Sequence, residues 1–165
     1  MATVALMLIL FRGVFNIVYV PTESMAPAID AGTIGIASHI SCLGKDRPEP
    51  ERGDIVIFRR GGSGKLLCKR IIGLAGETLT ISCGTVYIDG EPLGEPYLEH
   101  GTVTAGHGEF LIPEGCVFVM GDNRGNSADS REWDDPFVRI SDIRAVWLAG
   151  MRTCFAHLPF PQMTG

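Results

Sequence analysis

Three stretches contain the residues whose types and spacing could do chemistry. Ser24 lies in the segment 22–27, which directly follows an apolar N-terminal stretch. A serine needs a base to act as a nucleophile at neutral pH. No histidine is an obvious partner, whereas Lys69 lies inside the apolar run 67–73 and would lose its charge readily when desolvated. The pair predicts a serine nucleophile with a lysine base; a surface lysine on an edge strand is the alternative.

The third stretch, 121–131, is a polar loop in which the charges alternate in sign. One interpretation is that two Asp–Arg pairs make the loop rigid and direct Ser127 at the ammonium of Lys69, as support for a catalytic site. The other is a solvated loop with weak ion pairs. The four charged residues are Asp122, Arg124, Asp129 and Arg131.

The strand that carries Lys69 must turn this side chain inward if the lysine is to act as a base. Because side chains alternate along a strand, Leu67 and Ile71 would then share its face, while Cys68 and Arg70 would point the other way. Burial would lower the pKa of Lys69 from a reference value of about 10.4. We therefore expect activity to rise with pH as Lys69 loses its proton.

Other kinds of catalytic and metal site lack their motifs. There is no G-x-S-x-G elbow, no glycine-rich phosphate loop and no H-E-x-x-H. His100 and His107 share one glycine-containing loop, which is a weak metal signal. The five cysteines include no C-x-x-C pair and their spacing selects no disulfide, so buried free thiols are favoured. The sequence thus implies no metal and no organic cofactor.

The elements that position these residues are short β-strands. The 21 glycines and 10 prolines suit a turn-rich β protein, and several runs are rich in β-branched residues. We predict one mainly β domain with at least seven short strands. The predicted strands lie at 18–20, 33–38, 54–59, 66–74, 78–82, 85–88, 110–112, 117–120 and 143–148.

The N-terminal stretch indicates contact with a membrane. Residues 2–20 are nearly all apolar around Arg12, and only about ten apolar residues precede it, whereas a span needs about 20. We predict that residues 1–13 are an anchor, as the end of a truncated span or an interfacial segment; a buried first strand is the alternative. The main domain would be 14–153, with an irregular tail at 154–165. The net charge of −5 gives no general attraction to nucleic acid.

Four blocks, in this order, resemble bacterial signal peptidase I, the Ser–Lys leader peptidase family. The match covers most of residues 14–149. Each block alone would be a weak signal, but four ordered blocks with compatible spacing are specific. The blocks are Ser24-Met25 with Pro27, Arg52 to Val56, Lys69 to Glu77, and Gly121 to Arg131.

The resemblance implies a mechanism. Ser24 would attack the scissile carbonyl, with Lys69 as the general base. The backbone N–H of Ser24 and the hydroxyl of Thr22 would form the oxyanion hole, in which such donors are typically worth about 10²–10³ in rate. Ser127 would hydrogen-bond Lys69. The other residues that would support the loop are Asp129 paired with Arg131, and Asp122 and Arg124.

The resemblance also implies how substrate binds. The family cuts after small residues, typically alanine at the first and third positions before the cut, and an extended substrate fits strand addition to a sheet edge. Cys68 stands where the family commonly has a larger aliphatic residue. It would widen a pocket or leave a reactive thiol, and a harmless small hydrophobe is the alternative. The residues that should line the pockets are Val18, Val20, Pro21, Met25, Ile29, Ile57 and Cys68.

The implied protein is a membrane-bound serine endopeptidase with a partly open, barrel-like antiparallel fold. It would remove signal peptides from exported preproteins on the outer face of the cytoplasmic membrane, with lipid and the secretion translocon as partners and no nucleic acid. Compact relatives in conjugation systems mature pilin subunits, and this is one alternative. The others are a self-cleaving repressor-type protein with the same dyad, a non-catalytic β module that binds peptides, and a structural envelope protein.

Overall fold

The computed structural model describes residues 15–39, 50–60 and 65–152. This part of the chain contains eleven β-strands and a short 3-10 turn, so the predicted mainly β class is confirmed. The strands are β1 (Phe15–Val20), β2 (Thr33–His39), β3 (Ile55–Arg59), β4 (Leu66–Gly73), β5 (Thr78–Ser82), β6 (Thr85–Ile88), β7 (Glu91–Pro92), β8 (Gly108–Leu111), β9 (Cys116–Met120), β10 (Phe137–Arg139) and β11 (Ile143–Arg152).

Antiparallel pairing arranges the strands in two sheets. The larger sheet has seven strands in the order β1-β2-β11-β3-β4-β9-β10, and the smaller has four in the order β7-β6-β5-β8. In the larger sheet Val56 of β3 lies opposite Lys69 of β4, and Ile57 lies opposite Cys68. Lys69 is therefore held between neighbouring strands on both sides.

Five strands differ from the prediction by more than one residue. β1 begins at Phe15 rather than at 18, and β8 runs over Gly108–Leu111 rather than 110–112. β7 and β10 were not predicted, because two and three residues are too few to show an alternating pattern. β11 continues to Arg152, beyond the predicted end at 148. The extension pairs Gly150 with Gly35 of β2, and at both glycines a Cβ atom would lie closer than 3.0 Å to the Trp147 ring. The two glycines thus make room for this ring within the sheet.

β4 is buried on both faces from Lys69 to Gly73. Ile71 packs with Val56 and Phe58 in one core cluster, while Ile72 packs with Phe118 in another. Complete burial of such a side chain contributes about 1.5–3 kcal/mol. A strand with apolar residues on both faces reads as a nearly continuous apolar run, and 66–74 is one that is interrupted only at Lys69 and Arg70. The strand that carries Lys69 is thus fixed from two sides.

The chain ends lie outside the described residues. The predicted anchor at 1–13 and the predicted tail at 154–165 therefore stay predictions, as do the domain boundaries drawn from them. Within the three described ranges, no helix has the length and apolar character needed to cross a bilayer.

Candidate active site

Ser24 lies in a tight turn that follows β1. Met25 and Ile29 form an isolated β-bridge, and the N–H of Ile29 donates to the carbonyl of Met25 at 2.8 Å. Both side chains are buried against Val20 and Ile55. The turn is therefore fastened to the core by the residues after Ser24, while Ser24 itself stays half-buried.

Lys69 reaches the Ser24 hydroxyl. Its Nζ donates a hydrogen bond to Ser24 Oγ at 2.7 Å, and the lysine is only 4% exposed. The surface-lysine alternative is therefore wrong. Leu67 and Ile71 pack with one core cluster and Cys68 with another, as strand alternation predicts.

The protonation of Lys69 is set mainly by burial. Desolvation lowers its pKa below the ordinary value, and the Asp129 carboxylate is the largest opposing influence. Among the described residues no carboxylate lies within 4.0 Å of the ammonium as an ion-pair partner. The amine is thus displaced toward the neutral form that can accept a proton.

The two groups predicted for an oxyanion hole are the hydroxyl of Thr22 and the backbone N–H of Ser24. The hydroxyl of Thr22 lies 3.4 Å from Ser24 Oγ. Within the described part of the chain, no acceptor takes the backbone N–H of Ser24. An oxyanion hole formed by these two groups stays a prediction.

The polar loop is built around a buried carboxylate. Asp129 is fully buried and accepts hydrogen bonds from Nε and Nη2 of Arg131, at 2.8 and 2.9 Å, and from the N–H of Gly121 at 2.9 Å. Burial alone would raise the pKa of Asp129, but these hydrogen bonds outweigh it and hold the pKa below its usual range. The expected pairing of Asp129 with Arg131 is present.

The second expected Asp–Arg pair is replaced by two pairs with distant residues. Asp122 accepts from Nε and Nη2 of Arg70, at 2.8 and 2.6 Å, rather than from Arg124. Arg124 instead binds both carboxylate oxygens of Glu95. Local alternation of charge could not show this, because the partners lie 52 and 29 residues away along the chain.

Ser127 does not make the expected bond to Lys69. Its Oγ is buried and has no hydrogen-bond partner among the described residues. The hydroxyl lies near the Asp129 carboxylate and helps to lower its pKa, yet no hydrogen bond of normal geometry joins them. The physical reason is that Lys69 Nζ points at Ser24, while Ser127 packs against Gly121.

Gly121 lets the loop approach the Ser24 turn. A Cβ atom at this position would lie closer than 3.0 Å to both the Ser24 carbonyl and Ser127 Oγ. Asn123 completes the contact: its N–H donates to the carbonyl of Ser24 at 3.1 Å and its side-chain amide to the carbonyl of Glu23 at 3.2 Å. The loop thus holds the turn through hydrogen bonds to the backbone carbonyls of Glu23 and Ser24.

A groove of about 510 Å³ runs from Ser24 along β1 and the start of β4. Met25 and Ile29 differ from the prediction: they are 0% and 2% exposed and lie in the core rather than on the groove wall. Asn16, Leu66 and Arg144 line the groove and were not predicted, since only the folded sheet brings them there. Five predicted residues do line it, namely Val18, Val20, Pro21, Ile57 and Cys68.

Cys68 lines the groove, and its side chain is a protonated thiol rather than a thiolate. Burial raises the pKa of its thiol to about 12, so it stays protonated near neutral pH and acts as a small hydrophobe. Cys68, Cys83 and Cys116 are free, and Cys42 and Cys154 lie outside the described residues. Among the side chains that the structure describes, no cluster of three His, Cys, Asp or Glu could hold a metal ion.

Comparison with known proteins identifies the family. The family model described as signal peptidase, peptidase S26, matches residues 1–149. The chain belongs to the signal peptidase family. The members of this family are serine peptidases that act on proteins carrying signal peptides, which is the class of enzyme that the residues predicted.

Curated signal peptidases are similar over most of this chain. The signal peptidase I of Bacillus amyloliquefaciens is 37% identical over 138 residues, which is 78% of this chain and 69% of that protein. The signal peptidase I of Leptolyngbya laminosa is 34% identical over 79% of this chain and 68% of its own length. A probable signal peptidase I-1 of Synechocystis is 36% identical, and the match covers 70% of this chain and 61% of that protein.

A solved structure shows the same fold. The crystal structure of a signal peptidase I from Enterococcus faecalis V583 superposes with a TM-score of 0.52 at 33% sequence identity. The match covers 60% of this chain and 97% of that one. The predicted signal peptidase type of β fold is therefore confirmed.

Proposed function

We propose that this signal peptidase is a membrane-bound serine endopeptidase that cuts signal peptides from exported preproteins after Ala-X-Ala, with Ser24 as nucleophile and Lys69 as general base. The observation that carries the proposal is the 2.7 Å contact between Lys69 Nζ and Ser24 Oγ. A buried lysine has a lowered pKa and can take a proton that a solvated ammonium could not. The contact and the burial together supply an activated serine.

The first half of the reaction forms an acyl-enzyme. Neutral Lys69 takes the Ser24 proton as Oγ attacks the carbonyl carbon of the scissile bond. The resulting oxyanion would accept hydrogen bonds from the N–H of Ser24 and the hydroxyl of Thr22. The protonated lysine then gives its proton to the leaving amine, which departs as the N-terminus of the mature protein.

The second half releases the signal peptide. Lys69, neutral again, takes a proton from a water molecule that attacks the acyl carbon. Collapse of this intermediate breaks the bond to Ser24 Oγ, and the lysine returns the proton to the serine. The signal peptide leaves with a new carboxylate, so atoms and protons balance over the cycle.

Substrate would lie extended in the groove beside β1. Among the described strands β1 is one of the two edge strands of the larger sheet, and residues of β1 and β4 both line the groove. An extended peptide can add to such a strand through its backbone. Ile57, Cys68 and Ala145 line the groove wall, and this shallow apolar lining suits alanine side chains.

An exposed apolar face supports membrane contact. Ile17 lies opposite Ile36, and Ile34 lies opposite both Tyr19 and Met151, so the five side chains share one face of β1, β2 and β11. All five are exposed, with Ile17 at 74% and Met151 at 80%. A contiguous apolar face of this kind marks an interaction site, and we assign it to lipid. The secretion translocon, from which preproteins emerge, is the other proposed partner.

Cleavage of a synthetic leader peptide ending in Ala-X-Ala tests the proposal. Wild type, Ser24→Ala and Lys69→Met would be compared in lipid, with circular dichroism to show that each variant folds. We expect wild type to cut after the second alanine and both folded variants to be inactive. A near wild-type rate for Lys69→Met would show that the base is another group. Binding without cleavage by folded wild type would favour the peptide-binding module.

A further inference from the structure

A segment that the motifs leave without a role contacts all three arginines behind the candidate site. It runs over residues 95–105, between β7 and β8, and we refer to it as the strap. The two strands that it connects, β7 and β8, both belong to the smaller sheet. Its contacts are Tyr97 with Arg70, Glu95 and Thr104 with Arg124, and Ala105 with Arg131.

Arg124 is the most completely enclosed of the three. Its side chain is 1% exposed, and both terminal nitrogens bind the Glu95 carboxylate. Nη1 also donates to the hydroxyl of buried Thr104, and Nε donates to the carbonyl of Gly121 at 3.2 Å. A buried guanidinium needs a paired carboxylate, so Glu95 of the strap holds Arg124, and through it the start of the polar loop.

Tyr97 joins this pair to the strand of the base. Its hydroxyl donates to Glu95 Oε1 at 2.7 Å, and the guanidinium of Arg70 lies 4.1 Å from the centre of its ring. Arg70 follows Lys69 directly in β4, and its other contacts are Asp122 and the carbonyl of Gly53. One tyrosine therefore touches the residue beside the base and the carboxylate that holds Arg124.

Arg131 ties the end of the strap to the end of the loop. Its Nη1 donates to the carbonyls of Ala105 at 3.1 Å and of Arg124 at 3.0 Å, while Nε and Nη2 bind Asp129. Asp129 is the carboxylate that acts most strongly on Lys69. The strap thus contacts the loop at Arg124 and at Arg131, on either side of Ser127 and Asp129.

We propose that the strap positions the active site, with Glu95 and Tyr97 as positioning residues that keep the polar loop closed over Lys69. The inference rests on the proposed function of Ser24 and Lys69. The two strap residues act through the arginines, since neither touches Ser24 or Lys69. The strap, which connects two strands of the smaller sheet, thereby helps to exclude water from Lys69 in the larger sheet.

The expected readout is the pH at which activity develops. The charged and titratable groups that act on Lys69 are Asp129, Arg131, Asp122 and Cys68, and none belongs to the strap. Loosening the strap would therefore change Lys69 by admitting water rather than by removing a facing charge. Hydration favours the ammonium, so the acid limb of the kcat/KM profile would move to higher pH. A smaller folded fraction also lowers the rate and can itself vary with pH, so kcat/KM is expressed per folded enzyme, with the folded fraction measured by circular dichroism at each pH.

Two substitutions at Tyr97 separate its contacts. Tyr97→Leu removes the ring face and the hydroxyl, and we expect kcat/KM to fall about tenfold, equivalent to about 1.4 kcal/mol, with the acid limb at higher pH. Tyr97→Phe keeps the ring over Arg70. We expect its acid limb to lie at the same pH as in wild type and its kcat/KM to be within about threefold of the wild-type value. Tyr87→Leu is the matched control, because Tyr87 is also half-buried but lies on β6 away from the arginines. It should leave both quantities unchanged.

A folded Tyr97→Leu with an unmoved acid limb would overturn the inference. If this variant does not fold, Glu95→Gln takes its place, since it keeps the shape and removes the charge that holds Arg124; Glu109→Gln on exposed β8 is its control. The same shift of the acid limb is expected for Glu95→Gln, and its absence again counts against the strap.

If wild type fails to cut peptide at all, the proposed function is wrong, and the strap is tested without activity. The measurement is then hydrogen exchange of the backbone amides of residues 121–131. Exchange should be faster in Tyr97→Leu or Glu95→Gln than in wild type, and an unchanged rate would refute the proposal that the strap holds the loop.

Discussion

A lysine that is buried beside a hydroxyl is stable in its charged form only if something compensates for desolvation. Lys69 is 4% exposed, and its only direct hydrogen-bond partner among the described residues is Ser24 Oγ. Asp129 and Asp122 raise the pKa of Lys69 from a distance, but burial outweighs them. At the residue scale the proposed base is thus a lysine whose neutral form is favoured by burial in the fold.

Lys69→Met should raise the melting temperature at neutral pH, because it removes an ammonium that the fold must desolvate. A lysine with a lowered folded pKa binds fewer protons in the native state than in the unfolded chain. Wild-type stability therefore rises as pH passes from the folded pKa of Lys69 toward its ordinary value of about 10.4. The gap between the two proteins should narrow over that window. Thermal unfolding at several pH values measures it, and a destabilised Lys69→Met at neutral pH would contradict the account.

Asp129 has the opposite linkage. Its folded pKa is held low, so the stability that it contributes is present above the unfolded value of about 3.9 and is lost as pH falls through the folded pKa. We expect Asp129→Asn to flatten the acid side of the stability profile and to destabilise at neutral pH by about 3–5 kcal/mol, because Arg131 is left buried without its partner. Urea unfolding at two pH values tests this, and an unchanged acid slope would refute it.

At the element scale, the contact between the polar loop and the Ser24 turn depends on one missing side chain. Gly121→Ala would push a methyl group into Ser127 and the Ser24 carbonyl. We expect a loss of about 1–3 kcal/mol of stability from overpacking and a fall in kcat, since Ser24 shifts relative to Lys69. Gly125→Ala is the control in the same loop, where a Cβ atom meets nothing within 4 Å. Equal effects of the two substitutions would contradict the role of the close approach.

Most of the strands, and the contact between Ser24 and Lys69, could be predicted from sequence because the signals for them are local. Runs of β-branched residues are complete signals within one strand, as at 54–59 and 85–88. Ser24 and Lys69 stand in motifs whose residue types are chemically restrictive. The partners of Arg70 and Arg124 could not be predicted, because ion pairs between distant residues follow from strand register and loop packing. The burial of Met25 and Ile29 likewise depends on the bridge that folds the turn back.

At the scale of the whole molecule, the apolar face of β1, β2 and β11 should govern contact with lipid. Ile17 and Ile36 lie opposite each other on this face, and the test variant carries both Ile17→Asp and Ile36→Asp. We expect the double variant of the full chain to partition into vesicles about tenfold less, because apolar area is replaced by charge. Leu111→Asp, at a side chain that is 68% exposed on the smaller sheet, is the matched control and should partition like wild type. Equal losses in vesicle sedimentation would show that the face is not special.

The central claim is that Lys69 is the base, and its titration tests this most directly. The chain has three lysines, at 45, 65 and 69, so the ¹⁵N resonance of Lys69 can be assigned by comparison with Lys69→Met. We predict that Lys69 titrates below its ordinary value of about 10.4 and at the same pH as the acid limb of kcat/KM. A Lys69 that titrates at or above its ordinary value, while peptide cleavage is already complete at lower pH, would contradict the Ser24–Lys69 mechanism.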